Sequence, residues 1–201
     1  GQYVTRLDMN GFSETVNGLA AAAANALVTN SSWNASVLTV GANDATGSFA
    51  GRTGGALSLV KTGAGTWTLD APCGHTGATV AGGGTLALGN ACTLASTEVV
   101  VRRDATLAFA DGDAFGGDGS ATELFVGEEG VTAGLQGRLS IPAGVEVTVF
   151  HFAIDGRFMK AGTWGATGSG TDFTNDEIFS GGGTLRVLET GPQRGAVLFL
   201  R

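Results

Sequence analysis

The chain repeats itself. Gly63–Cys73 reads GAGTWTLDAPC and Gly82–Cys92 reads GGGTLALGNAC, so Gly63/Gly82, Gly65/Gly84, Thr66/Thr85, Leu69/Leu88 and Cys73/Cys92 coincide at a shift of 19 residues. Ala105-Thr106-Leu107-Ala108-Phe109 renews the unit 21 residues beyond Gly84-Thr85-Leu86-Ala87-Leu88. Looser copies begin at Ser36, Ala56, Gly137 and Gly183. Each copy alternates apolar with small or polar residues over four or five positions, the period of a half-buried strand. Gly, Asn or Asp soon follows most copies and supplies turn conformations. Short strands at this spacing fit a β-sandwich or jelly roll, or a parallel β-solenoid. Only the solenoid needs self-similarity, because each rung must offer the next a matching face. The expected fold is therefore all-β, a parallel β-helix with rungs of about 20 residues. Stacked at ~4.8 Å, about ten rungs would make a rod of ~45–50 Å.

Composition narrows the class of protein. The 201 residues include 35 Gly but three Pro, without a three-residue period, which excludes collagen. A hydrophobic content of 43% excludes disorder. A net charge of −7 leaves no basic footprint for nucleic acid. The longest apolar run, Leu19–Leu27, is broken by Asn25 and falls short of the ~20 residues of a membrane-spanning helix, so no membrane insertion is expected. One domain spans 1–190, with an N-terminal cap within 1–35, where Ala20–Ala24 has helix propensity. Residues 191–201 form a separate apolar C-terminal strand.

Leu59–Asn90 reads LVKTGAGTWTLDAPCGHTGATVAGGGTLALGN. Its Lys61-Thr62-Gly63, Gly65-Thr66, Thr76-Gly77, Val80 and Gly84-Thr85-Leu86-Ala87-Leu88-Gly89 resemble the autotransporter-associated β-strand repeat, also called the passenger-associated transport repeat. Ala71-Pro72-Cys73-Gly74-His75 departs from the family's usual link. Leu7–Leu19 and Val28–Gly41 resemble segments that precede this repeat, and Ala161–Gly170 and Phe179–Val187 resemble the ends of such proteins. The resemblance implies a right-handed parallel β-helix, secreted or on the surface of a Gram-negative-type bacterium. It implies no catalytic residues and no cofactor. The chain has too few ~10-residue alternating strands to build an outer-membrane barrel, so export is expected to need a further segment or other machinery.

The candidate site residues are few. Cys73 and Cys92 hold equivalent repeat positions, where one strand spacing of ~4.8 Å suits a disulfide and an oxidising compartment; two buried free thiols are the alternative. Asp111 and Asp113, in the acidic Asp111–Gly119 stretch, are the one plausible carboxylate pair, but their flanking glycines favour a surface loop over catalysis. An EF-hand counted from Asp111 fails at Phe115 and Thr122. His75 is expected in the variable turn and His151 in a strand over Val145–Ile154. Trp67 takes a position filled elsewhere by Leu86 and Leu107 and is expected in the core. Trp33 and Trp164, in loop-like contexts, are the candidate glycan contacts.

The C-terminal Val197, Leu198, Phe199 and Leu200 are the candidate subunit contact. They serve either as the last strand of their own solenoid or as a strand added to the next subunit, which would give head-to-tail filaments. The expected function is non-enzymatic and structural: a stalk, adhesin or self-assembling fibre outside the cell. Its expected partners are other copies of the chain, through the solenoid ends, and surface glycans. The rival is a carbohydrate-binding or carbohydrate-cleaving β-helix, which requires Trp33, Trp164 and the Asp111–Asp118 loop to share one face.

Overall fold

A computed structural model describes residues 5–116, 118–119, 121–128 and 135–192. The chain forms a parallel β-solenoid of about six turns, with rungs of about 21 residues. The alternating segments become its strands, and three sheets form its sides. Sheet I stacks Thr5–Asp8, Ala26–Asn30, Arg52–Gly55 and Cys73–His75 in parallel. Sheet II stacks Glu14–Val16, Ser36–Val40, Leu57–Lys61, Thr79–Ala81, Glu98–Val101, Glu123–Val126 and His151–Ile154, and closes on the antiparallel strand Arg157–Phe158. Sheet III stacks Gly47–Phe49, Thr66–Leu69, Gly84–Leu88, Ala105–Phe109, Arg138–Ser140 and Phe179–Ser180. A fourth sheet holds the last turn: Glu146–Val149 pairs with Thr184–Val187, which runs antiparallel to Gly162–Gly165.

The strand period sends every second residue inward. In sheet III, Trp67, Leu86, Leu107, Leu139 and Phe179 lie opposite one another in successive rungs. All five are buried. In sheet II the inward row is Leu38, Leu59, Thr79, Val99, Leu124 and Phe152. Thr79 is the polar member of that row, and each large apolar side chain in the two rows contributes about 1.5–3 kcal/mol through burial. Trp67 is a core residue, as its repeat position requires, and its indole N–H donates to the carbonyl of Leu19 at 2.9 Å.

The register explains why there are about six turns and not ten. Leu86 faces Trp67 at a shift of 19 and Leu107 faces Leu86 at 21, but Leu139 faces Leu107 at 32 and Phe179 faces Leu139 at 40. Longer links consume the later residues without adding rungs.

Four local expectations are corrected. No helix forms over Ala20–Ala24; instead Ala21 bridges Phe49 in parallel and adds to the edge of sheet III. The expected strand Val145–Ile154 is two strands, Glu146–Val149 and His151–Ile154, broken at Phe150. His75 is not in a turn but fully buried in the strand Cys73–His75. Cys73 and Cys92 are not in register: Cys73 faces Thr53 on one side and Leu94 on the other, because the link after Leu88 is two residues longer than the 19-residue shift allows. Both are buried free thiols rather than a disulfide. Val197–Leu200 lie outside the described residues.

Candidate functional site

A concavity lies beside the last turn of the described solenoid, where the chain reverses direction. Asp155 and Gly156, at φ +48° and +75°, make a tight turn between His151–Ile154 and Arg157–Phe158. Their left-handed conformations suit a two-residue hairpin. Arg103 Nη2 holds the Asp155 carboxylate at 3.1 and 3.2 Å, and Gln136 Nε2 donates to it at 2.8 Å. The hairpin lays the Phe158 ring edge-on to Phe125, with centroids 6.1 Å apart. Downstream, Trp164 stacks on Phe173 at 4.6 Å and 28° and meets Phe152 edge-on at 5.9 Å. Its indole N–H donates to the carbonyl of Lys160 at 2.9 Å.

Phe158, Met159, Lys160, Ala161, Trp164, Phe173 and Thr190 line an open cavity of about 770 Å³. Its walls are aromatic and aliphatic, and Lys160 is the one charged residue among its described lining. Such a cavity suits apolar groups or a flat ring. Thr190 and Gly191 lie at the cavity's rim. The Thr190 hydroxyl accepts the Ala161 N–H at 2.9 Å. Gly191 lies so close to the Phe158 ring that a Cβ there would come within 2.2 Å of it.

The candidate glycan contacts are not brought together. Trp33, 94% exposed, stands in the link between Ala26–Asn30 and Ser36–Val40, near the N-terminal end. Trp164 is half-buried in the last turn. The acidic loop is a plug as much as a surface. Its residues Asp113–Phe115 form a 3-10 turn that buries Ala114 and Phe115, with Phe115 edge-on to Phe109 at 5.6 Å. Asp111 accepts the Asp113 N–H at 3.1 Å, so this carboxylate caps its own loop. Among the described residues, no three His, Cys, Asp or Glu groups are placed to hold a metal ion.

The buried polar groups are tied into the rungs. His75 Nδ1 pairs with the Thr53 hydroxyl at 2.7 Å and Nε2 with the Thr79 hydroxyl at 2.8 Å, and burial lowers its pKa to about 4. Lys61, also buried, donates to the carbonyls of Thr62, Gly63 and Gly83 at 2.6, 3.0 and 3.2 Å. Burial holds its ammonium below the usual lysine range, while the Asp44 charge opposes that shift. Its three N–H groups staple one corner across consecutive rungs. At the same corner Gly41, at φ +107°, is indispensable, since a Cβ would lie 2.1 Å from the Thr62 carbonyl. The hydrogen bond from Cys92 to Cys73, together with burial, pushes the Cys92 thiol up and leaves it an inert core group.

No protein-family model, curated protein or solved structure matches this chain.

Proposed function

We propose that this chain is a non-enzymatic structural module that works outside the cell as a rigid stalk or spacer. The observation that carries the reading is the unbroken ladder of sheet II, seven parallel strands among the described residues that fix the direction of the rod. The buried titratable groups support it, because His75 and Lys61 spend their hydrogen bonds within and between the solenoid's own rungs rather than on a substrate. The resemblance of Leu59–Asn90 to the autotransporter-associated repeat supports an extracellular or cell-surface place in a Gram-negative-type bacterium. Between stalk and head-to-tail fibre, the antiparallel closure of sheet II at Arg157–Phe158 favours the stalk, because a reversed strand offers no matching face for another parallel rung.

Negative-stain microscopy with light scattering over a concentration series tests the reading. Single rods whose mass stays near 20.0 kDa are expected. Regular fibres would replace the stalk with a polymer. Saturable glycan binding that is lost on Trp33→Ala would favour the second reading, a carbohydrate-binding solenoid, which rests on the 94% exposure of Trp33.

A further inference from the structure

The aromatic cavity beside the last turn has one flat wall that is fixed in place. Trp164 and Phe173 are register partners in the parallel pair Gly162–Gly165 and Phe173–Thr174, so the ladder itself holds their rings stacked at 4.6 Å. The Trp164 indole also donates to the Lys160 carbonyl, which ties the Lys160 backbone to that wall. Phe158 and Met159 complete the apolar lining, and all four residues are half-buried, open to a small molecule. The polar lining consists of donors. Lys160 is exposed and forms no ion pair among the described residues. The Thr190 hydroxyl accepts the Ala161 N–H at 2.9 Å, which leaves its own O–H to donate. Asp172, next to Phe173, already accepts the N–H and the O–H of Thr163, each at 2.9 Å. Two donors with no carboxylate in the described lining suit an anion, and the stacked wall suits a ring. The volume of about 770 Å³ falls within the range of small-molecule sites.

We propose that this cavity binds a planar aromatic carboxylate. The ring lies between Phe158 and the Trp164–Phe173 wall, where it gains ring–ring contacts and takes apolar surface out of water. The carboxylate stays at the open rim, where the Lys160 ammonium and the Thr190 hydroxyl donate to it. A fatty acid brings the same charge but cannot stack and loses more conformational freedom on binding, so it is the weaker ligand. The inference goes beyond the stalk reading, because the shape and mass of the rod do not depend on whether the cavity is filled.

Methyl NMR tests it in the full chain, which contains two methionines, Met9 and Met159. Met159 lines the cavity, whereas Met9 is buried in the link after Thr5–Asp8. With the methionine methyls labelled with carbon-13, added 2-naphthoate should move the Met159 signal along a saturating one-site curve and leave Met9 in place. Met159→Leu identifies the signal by removing it. Lys160→Gln should weaken 2-naphthoate about five-fold, the upper end for a solvent-facing ion pair. The same variant should bind the neutral 2-naphthalenemethanol as the wild type does, which separates a lost charge from a damaged cavity. Phe173→Leu should weaken both ligands by about three- to ten-fold, with an unchanged Met9 signal reporting an intact rod. Decanoate should bind more weakly than 2-naphthoate. Absence of a saturating Met159 shift overturns the proposal, as does 2-naphthoate binding that Lys160→Gln leaves unchanged. Tighter binding of decanoate also overturns it and assigns the cavity to acyl chains.

Discussion

Acid should loosen this rod through His75, and the size of the effect follows from its surroundings. The imidazole is fully buried, and each nitrogen faces one threonine hydroxyl, Thr53 at 2.7 Å and Thr79 at 2.8 Å. The neutral ring donates from one nitrogen and accepts at the other, a pattern that hydroxyls satisfy from either side. A protonated ring would be a buried charge without a carboxylate partner among those contacts. Burial therefore depresses the folded pKa to about 4, from 6.5 in the unfolded chain. The folded state binds the proton less well, so stability is full above pH 6.5 and falls as the pH drops through 4. At ~1.36 kcal/mol per unit, the full loss is about 3 kcal/mol, of which about 2 kcal/mol is already gone at pH 5. Urea unfolding of the wild type and of His75→Gln at several pH values isolates this contribution, because all other titrations are common to both proteins. The variant should be the less stable at pH 7.5, and the gap should narrow by about 2 kcal/mol on going to pH 5. Stability curves that run parallel between pH 7.5 and 4.5 would refute the reasoning.

Other substitutions probe the remaining supports. Lys61→Met strips three carbonyls of their donor and should cost about 3 kcal/mol in urea unfolding. Trp67→Ala should cost about 4 kcal/mol, since it opens a cavity in the inward row and frees the Leu19 carbonyl, whereas Trp33→Ala should stay within ~0.5 kcal/mol. Cys73 and Cys92 should resist a thiol reagent in the native protein. In urea without reductant both should be alkylated, and an intact mass showing neither modified would restore the disulfide.

The parallel solenoid was legible because its inward row is written in the repeat: Leu86 and Leu107 stand where Trp67 stands, and all three are core. The register was legible only where links keep their length. Cys73 and Cys92 match perfectly in the sequence, yet the longer link after Leu88 puts Leu94 opposite Cys73. His75 was hidden for a related reason. Pro72-Cys73-Gly74-His75 shows no apolar alternation, and its inward-outward-inward order appears only once Cys73 is paired with Thr53 and His75 with Gly55. The aromatic cavity carried no periodic signal at all. Its walls at Phe158, Trp164, Phe173 and Thr190 come from separate strands and links, and their meeting depends on the turn at Asp155-Gly156.

The two ends of the rod differ mechanically. Among the described residues, Thr5–Asp8 is the N-terminal edge of sheet I and is held there by a single neighbour, Ala26–Asn30. In the last turn, Thr184–Val187 lies between Glu146–Val149 and Gly162–Gly165, so releasing it means breaking two ladders at once. A chain loaded from its two ends would therefore unwind from the N-terminal side inward. With rungs of about 21 residues, each lost turn would pay out ~70 Å of extended chain while the remaining turns kept their shape.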